Sequence, residues 1–331
     1  MTPDHTPAPA ETPKPGPSNL QLRTIYGLLG AALLVGSVWF SPWTFGLFFA
    51  FVQAVMLWEF YRMMRAGGYA PGAWLGIGVS LAGFFLMHWT SGLVEYGLAS
   101  DPDSKLSLWK HLSPAQHQAV VSAPSITHYN ADFLHTRFLF LGLFALILLA
   151  YIVTFVLREV TMWPRHKQPF GNVGAGLTGI FYIGVPMSLL NLIAFSGNAY
   201  DYRRVIVLLF LIWSSDIGAY AAGKTFGKHK LAPKISPGKT WEGFAGGVVL
   251  TLAMGWALGY LIPELPLAHR LVAAGVVAVF GPLGDLAESM LKRSVGVKDS
   301  GSIMPGHGGL LDRLDAFLLV LPVLVLLQLL F

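Results

Sequence analysis

Five acidic and four basic side chains crowd one stretch of the sequence, residues 284–315, between two apolar segments. Asp285 and Glu288 are three residues apart, as are Asp312 and Asp315, so each pair lies on one face of a helix. Asp285 falls inside an apolar run, where an ionised carboxylate is costly unless it is paired or binds a metal. Two helix ends that aim carboxylates at one point can hold magnesium (Mg²⁺) together with substrate phosphates. The pattern therefore predicts a metal site built on Asp285 and Asp312, with Glu288 and Asp315 close by.

The same stretch carries groups that attract anions. Its four basic residues, suited to neutralising phosphate charge, are Lys292, Arg293, Lys298 and Arg313. Gly308 and Gly309 follow His307 just before a helix start, where free backbone N–H groups and the helix dipole favour anions. His307 can orient a phosphate or serve as a turn residue, and the sequence does not separate these roles. The alternative is an ordinary polar loop between membrane spans. Against it, acids within the membrane at two helix ends need partners, which favours a functional site.

A second charged region runs over residues 213–243. Asp216 lies in the middle of an apolar helical segment, which makes it either a functional residue or a structural acid capped by its neighbours. Ser236, Lys239 and Thr240 surround a Pro-Gly turn just before the next helix start, an arrangement that suits phosphate oxygens. The alternative is that the lysines here follow the positive-inside rule or touch anionic lipid headgroups. The spacing of a Walker A loop is absent from the sequence.

Both stretches resemble conserved blocks of the phosphatidate cytidylyltransferases, also called CDP-diacylglycerol synthases. The matching positions in the later stretch are Ser289, Leu291, Lys292, Arg293, Lys298, Asp299, Gly301, Pro305, His307, Gly308, Gly309, Asp312, Arg313 and Asp315. Those in the earlier stretch are Asp216, Gly218, Ala219, Tyr220, Gly223, Leu231, Ser236, Pro237, Lys239, Thr240, Glu242 and Gly243. Met304, Ala316 and Gly238 depart from the family pattern, and Ala316 lacks the hydroxyl of a common serine.

The resemblance implies an enzyme that joins CTP to phosphatidate, giving CDP-diacylglycerol and pyrophosphate. Together with the chemistry of the side chains, the resemblance assigns catalytic roles to Asp285, Asp312, Lys239, Lys292, Arg293 and Arg313. Substrate contacts are expected from Ser236, Lys239, Thr240, Lys298, His307, Gly308 and Gly309. Magnesium ligands are expected among Asp285, Asp312, Glu288 and Asp315, with Asp216 as a further candidate. A monovalent cation such as K⁺ beside magnesium is implied by the family alone.

Other classes of protein fit part of the pattern. A CTP-dependent membrane transferase acting on a polyprenol or another lipid phosphate would need the same phosphate chemistry. A secondary transporter also holds intramembrane acids, but it should show repeated halves, and none is visible. A non-catalytic membrane scaffold is the third rival. The expected partners are CTP, phosphatidate and the surrounding membrane lipids, with no nucleic acid; a homodimer is left open.

Membrane helices must position these residues. The 331-residue chain is 54% hydrophobic and only 12% charged, a composition typical of a polytopic membrane protein. Its lack of cysteine excludes disulfides and thiolate metal sites. Apolar segments of about 20 residues are long enough to cross a bilayer. They predict an all-α fold with about nine transmembrane helices, at residues 24–40, 43–62, 73–93, 134–157, 173–195, 204–223, 242–262, 269–291 and 313–331.

The sequence also predicts domain boundaries and orientation. The Pro-rich residues 1–22 are predicted to be a disordered tail, and residues 23–331 to form one transmembrane cytidylyltransferase domain whose catalytic part is about 204–331. With the tail in the cytoplasm, 16 of the 22 Lys and Arg fall on the cytoplasmic side. The N-terminus and both charged stretches then face the cytoplasm, and the membrane is the inner (cytoplasmic) one if the protein is bacterial. The external segment 94–133 matches no metal-ligand motif and is predicted to be an irregular or amphipathic lid.

Overall fold

Ten α-helices make up most of the computed structural model, which describes residues 19–98, 124–196, 199–301, 303 and 308–330. The helices are α1 (Asn19–Phe40), α2 (Pro42–Ala66), α3 (Ala73–Leu98), α4 (Pro124–Met162), α5 (Pro169–Gly179), α6 (Val185–Ala194), α7 (Tyr202–Phe226), α8 (Trp241–Ala257), α9 (Leu267–Ser294) and α10 (Leu311–Leu330). A π-helical turn, Ile180–Gly184, joins α5 to α6, and a 3-10 turn, Leu258–Tyr260, extends α8. The short strands are β1 (Phe195–Ser196), β2 (Ala199–Tyr200), β3 (Lys230–Ala232) and β4 (Ser236–Thr240), which form two antiparallel hairpins, β1–β2 and β3–β4.

Each predicted apolar segment coincides with a helix, and the segment 173–195 coincides with α5, the π-helical turn and α6 in line. Within the described residues, seven helical stretches are long and apolar enough to cross a membrane. They are Pro42–Ala66, Ala73–Ser91, Gly142–Met162, Pro169–Ala194, Tyr202–Phe226, Trp241–Tyr260 and Leu267–Ser294. Residues Tyr26–Phe40 form a shorter apolar helix. The all-α polytopic membrane fold is thus confirmed, whereas the count of nine spans and the side of the N-terminus stay predictions.

Two predicted boundaries are shifted by helix formation. Helix α1 begins at Asn19, so residues 19–22 of the predicted disordered tail are helical. The physical reason is that no proline or glycine interrupts the chain between Pro17 and Gly27. Both ends of the predicted external segment are also helical, because α3 continues to Leu98 and α4 begins at Pro124. Residues 1–18 and 99–123 lie outside the described residues.

Helix α2 packs at the centre of the bundle. Its side chains Phe45, Phe49 and Met56 are fully buried in the main hydrophobic cluster. The start of α2 is set by Ser41, whose hydroxyl accepts a hydrogen bond from the Thr44 N–H at 3.1 Å, while the Thr44 hydroxyl accepts one from the Ser41 N–H at 3.0 Å. This reciprocal cap satisfies two backbone donors that a helix start leaves unpaired. Helix α2 runs from this cap to Ala66 at the other end of the bundle.

Small residues bring α7 and α8 into close contact. A Cβ atom on Gly218 would lie 2.6 Å from the carbonyl oxygen of Gly246, and one on Gly246 would collide with the Ala222 side chain. Such close backbone approach is typical of helix pairs in membranes. Since the β3–β4 hairpin connects this pair, it is held at the same end of the bundle as the C-terminal turn of α7.

One end of the bundle gathers the charged residues, and it is called here the charged end. At this end α2, α7 and α9 finish, and α8 and α10 begin. Contacts across it join Glu59 of α2 to Leu311 of α10, Lys239 of the hairpin to Asp285 of α9, and Lys292 to the start of α10. The fold therefore brings the two charged stretches of the sequence to one place.

Candidate active site

Lys292 is the centre of the first group of charges. Its Nζ atom lies 2.5 Å from Glu288 Oε2 and 2.7 Å from Asp312 Oδ1. Glu288 is one helical turn earlier on α9, and Asp312 is in the first turn of α10. The side chains of Glu288, Lys292 and Asp312 are 1%, 12% and 11% exposed, so the ammonium bridges two carboxylates that are largely removed from water. A single lysine thus fixes the end of α9 against the start of α10.

The turn before α10 wraps around Asp312. Asp312 Oδ2 accepts hydrogen bonds from the N–H groups of Gly309 at 2.8 Å and Ser300 at 3.1 Å. Gly308 has φ of +83°, in the left-handed region that favours glycine, and a Cβ atom there would lie 2.8 Å from Asp312 Oδ2. Both oxygens of Asp312 are therefore occupied by groups of the chain itself.

A residue that the sequence did not single out completes this turn. Glu59, near the end of α2, accepts hydrogen bonds from the Leu310 N–H at 3.1 Å and the Leu311 N–H at 2.9 Å. The sequence predicts that the N–H groups at this helix start are free for phosphate. In this structure the N–H groups of Gly309, Leu310 and Leu311 are bound by two carboxylates of the chain itself, because buried amides at a helix start need partners.

Lys239 and Asp285 form the second group of charges. Lys239, in β4, places its Nζ atom 2.7 Å from Asp285 Oδ2 and 3.1 Å from the carbonyl oxygen of Pro282, both on α9. Ser289 donates a hydrogen bond of 3.3 Å to Asp285 Oδ1. The side chains of Lys239 and Asp285 are 22% and 44% exposed, so this pair is far more accessible than the Lys292 group.

Further acids surround this pair. Asp216 of α7 and Asp315 of α10 interact electrostatically with both Asp285 and Lys239. Asp216 is exposed, whereas the Asp315 carboxylate accepts a hydrogen bond from the Ala316 N–H at 2.8 Å. Three carboxyl groups thus share the neighbourhood of one lysine, so acidic groups are in excess over basic ones beside an accessible surface. Such an excess favours the binding of a cation.

A tyrosine on the π-helical turn lies near acids of both groups of charges. Tyr182 lies within electrostatic range of Asp285, Glu288 and Asp315, and its hydroxyl is buried without a hydrogen-bond partner among the described residues. Single π-helical turns often occur at functional sites. Sequence reasoning missed Tyr182, although the sequence around it contains Gly184 and Pro186, which interrupt the apolar segment 173–195.

Four other predicted phosphate-binding residues differ in their exposure to solvent. Thr240 is buried, and its hydroxyl accepts the Gly243 N–H at 3.1 Å, which makes it the N-cap of α8. Ser236 is half-buried in β4. Arg293 and Lys298 are exposed near the end of α9, and Arg293 donates to the carbonyl oxygen of Val297 at 3.2 Å.

The other predicted site residues are Arg313, His307, Gly308 and Gly309. Arg313 is exposed on α10 and interacts electrostatically with Asp216. His307 lies outside the described residues, so its predicted role stays untested. Gly308 and Gly309 are placed in the turn around Asp312, and their proposed contact with substrate stays a prediction.

The carboxylates have the chemistry that magnesium prefers, but they do not form a ready-made metal centre. Among the described residues there is no group of three His, Cys, Asp or Glu side chains that could hold a metal ion. Asp285 and Asp312, the predicted ligand pair, bind different lysines. Proteins commonly hold magnesium by one or two carboxylates, while phosphates and waters complete the shell. The accessible Asp285, with Asp216 and Asp315 near it, fits such a partial shell.

Comparison with known proteins decides the family. The model of the cytidylyltransferase family matches residues 21–331. The chain belongs to the cytidylyltransferase family. This cytidylyltransferase is 39% identical to a phosphatidate cytidylyltransferase of Bacillus subtilis, over 68% of this chain and 77% of that protein. Phosphatidate cytidylyltransferases of Staphylococcus saprophyticus and Staphylococcus haemolyticus are each 39% identical over 52% of this chain and 65% of theirs.

The family match covers the helices that sequence reasoning left without a function. In this cytidylyltransferase, α2 contributes Glu59 and Arg62 to the turn before α10. A signal for Glu59 was present, since it is an acid inside the apolar segment 43–62. The rule that drew attention to Asp216, that an acid within a membrane helix needs a partner, applies to Glu59 equally.

Proposed function

We propose that this protein transfers the cytidylyl group of CTP to phosphatidate, forming CDP-diacylglycerol and pyrophosphate, at the charged end of its helix bundle. The observation that carries this proposal is the pairing of Lys239 with Asp285 and of Lys292 with Glu288 and Asp312, where α9, α10 and the β3–β4 hairpin meet. Membership of the cytidylyltransferase family and the names of the relatives support the same reaction. An alternative lipid or polyprenol acceptor has no observation in its favour.

The reaction joins two anions, and their mutual repulsion is the main barrier. A phosphate oxygen of phosphatidate attacks the α-phosphorus of CTP, a new P–O bond forms, and the bond from that phosphorus to the bridging oxygen of the β-phosphate breaks. Pyrophosphate leaves with the bonding electrons. No side chain has to remove a proton, because a phosphate monoester is already ionised near neutral pH. The protein's task is therefore to orient the two phosphates and to neutralise their charge.

The role of each basic residue in this task depends on how accessible its side chain is to solvent. Lys239 lies next to the accessible Asp285 and can exchange that carboxylate for a phosphate oxygen. Arg293, Lys298 and Arg313 are exposed at the same end and suit the triphosphate and the leaving pyrophosphate. Lys292 is held between two carboxylates, so its role is to keep the helix ends together and to add positive potential.

Magnesium would be held at the accessible Asp285 as the principal protein ligand, with Asp216 and Asp315 beside it. When bound, the ion supplies charge neutralisation to the phosphates. Asp312 and Glu288 would support this site through Lys292, and a monovalent cation such as K⁺ would take up remaining negative charge. The structure supports the proposal through the excess of carboxylates around Lys239.

The orientation in the membrane is also part of the proposal. The charged end contains most of the lysine and arginine residues of the loops, which favours a cytoplasmic location by the positive-inside rule. CTP is then delivered from the cytoplasm, and phosphatidate reaches the site from the same leaflet of the inner membrane. A homodimer and specific membrane lipids are further partners that this proposal leaves to experiment.

The direct test uses purified protein in detergent with phosphatidate, magnesium and CTP labelled at the α-phosphate or, in a parallel reaction, at the γ-phosphate. We expect α-label to enter the lipid and γ-label to appear only in pyrophosphate, and we expect no transfer when magnesium is removed by a chelator. A parallel reaction with a polyprenyl phosphate tests the alternative acceptor. Well-folded protein that moves no α-label into any phosphatidate would refute the proposal.

A further inference from the structure

The C-terminal turn of α2 binds the turn that precedes α10. Glu59 and Arg62 are three residues apart and so lie on the same face of α2. Glu59 accepts the N–H groups of Leu310 and Leu311 at 3.1 and 2.9 Å, and its Oε2 atom lies 3.5 Å from the Ser300 hydroxyl. Arg62 donates to the Ser300 carbonyl oxygen at 2.9 Å. Two side chains of α2 therefore contact the loop from α9 to α10 at Ser300 and at the start of α10.

This contact is buried and leaves little free space. Glu59 is only 2% exposed and Ser300 1%. A Cβ atom on Gly301 would collide with Glu59 Oε1, and one on Gly309 would lie 2.7 Å from Glu59 Oε2. Glycine is needed at both positions because the loop passes directly over the carboxylate. The described part of the loop is thus shaped around Glu59.

The same turn holds Asp312. Ser300 and Gly309 donate their N–H groups to Asp312, while the next two N–H groups along the chain are bound by Glu59. The two carboxylates consequently share one stretch of backbone, with Glu59 held from α2 and Asp312 held from α9 through Lys292. Any change in how Glu59 holds Leu310 and Leu311 must shift the start of α10.

We propose that Glu59 and Arg62 of α2 are positioning residues for cytidylyl transfer, which hold the turn before α10 so that Asp312 stays bound to Lys292 and so that Arg313 and Asp315 face the substrates. This inference rests on the proposed function and adds the N-terminal half of the chain to its active site. Neither side chain touches the reacting phosphates. They act through the Ser300 carbonyl group and the Leu310 and Leu311 amides. A shift of about 1 Å in such a site can lower turnover by about a hundredfold.

The test compares two equally buried acids at the charged end. Glu59→Gln keeps the shape of the side chain but replaces one acceptor oxygen by a donor that faces a backbone N–H. Glu159→Gln is the matched control, since Glu159 is 3% exposed, bonds Asn172 and His166 of its own region, and takes no part in the α10 turn. For each variant, the turnover number and both KM values are measured together with thermal unfolding in detergent.

We expect Glu59→Gln to lower kcat by about 10- to 100-fold with little change in KM for CTP or phosphatidate, the pattern of lost positioning. Glu159→Gln should lower the unfolding midpoint to a similar extent and keep wild-type kcat. A second readout needs no activity: hydrogen exchange of the Leu310 and Leu311 amides should accelerate in Glu59→Gln and stay unchanged in Glu159→Gln. Glu59→Asp, which keeps the charge on a shorter side chain, should recover part of kcat.

The outcomes separate this inference from the proposed function. Wild-type protein that makes CDP-diacylglycerol, together with a Glu59→Gln variant of equal kcat, would overturn the positioning role and leave the reaction standing. An equal loss of kcat in both variants would likewise overturn it, because the loss would then follow stability alone. If Glu59→Gln does not fold, Arg62→Met carries the test: it removes the bond to the Ser300 carbonyl and the positive charge beside Glu59, and it should lower kcat with unchanged KM values.

Discussion

Replacing Lys292 by methionine should strongly destabilise the protein as well as inactivate it. Lys292 Nζ contacts Glu288 Oε2 and Asp312 Oδ1 at 2.5 and 2.7 Å, and all three side chains are largely buried. Methionine matches the length of the lysine stem but removes the only charge that these contacts place between the two carboxylates. The variant therefore tests whether this bridge holds α9 against α10.

The magnitude follows from the geometry. Since both oxygens touch one nitrogen, they are at most about 5 Å apart, and two unit charges at that distance repel each other by about 3 kcal/mol at an effective dielectric constant of about 20. Removing one partner of a buried ion pair usually costs about 3–5 kcal/mol. The two figures agree, so we expect Lys292→Met to lose about 3–5 kcal/mol of unfolding free energy.

The assay is unfolding in mixed detergent micelles, followed by far-ultraviolet circular dichroism, alongside cytidylyl transfer. The double variant Glu288→Gln/Lys292→Met removes one of the two facing charges, so it should regain most of the lost stability and remain inactive. Lys167→Met, at an exposed lysine in the loop between α4 and α5, is the matched control and should behave as wild type. A Lys292→Met variant as stable as wild type, or a double variant no more stable than the single one, would refute the reasoning.

Three further predictions concern the rest of the site. Asp285→Asn should abolish transfer at saturating magnesium with little change in the unfolding midpoint, because Asp285 is 44% exposed; near-normal transfer would remove it from the site. Gly308→Ala should cost about 1 kcal/mol or more and lower kcat, because φ is +83° and the new methyl would press on Asp312, whereas Gly174→Ala, where nothing lies within 4 Å, should be tolerated. Thr240→Ala should cost about 1 kcal/mol through loss of the α8 cap, and Thr240→Ser should restore it in the same unfolding assay.

The helices and the charged pairs close in sequence were readable from local pattern. Glu288 and Lys292 are four residues apart on one helix face, and the structure joins them directly. The apolar segments coincide with helices because chain length in a bilayer and backbone hydrogen bonding leave few alternatives. The family resemblance carried by the two charged stretches is likewise confirmed by the match over residues 21–331.

Pairings between distant parts of the chain were not readable in this way. Lys239 could have faced a phosphate alone, and only the packing of α7, α8 and α9 shows that it pairs with Asp285. The amides before α10 looked free because the sequence around them contains glycine, and because its nearby acids, Asp312 and Asp315, were assigned to a metal site. Their partner, Glu59, is 252 residues away from Leu311. No local pattern specifies such a contact.

The order of residues therefore established a membrane enzyme with acids and lysines at helix ends, because hydrophobic length, helix periodicity and motif spacing are local properties of a chain. The assignment of partners was decided only when the helices packed, because each buried carboxylate and each unpaired amide takes whichever opposite group the packing brings within reach. Asp312 is held by α9, its neighbouring amides are held by α2, and Asp285 is left accessible. Asp285 is thus accessible to substrate, whereas Asp312 is largely buried and supports the site. This difference between the two acids is a property of the tertiary structure.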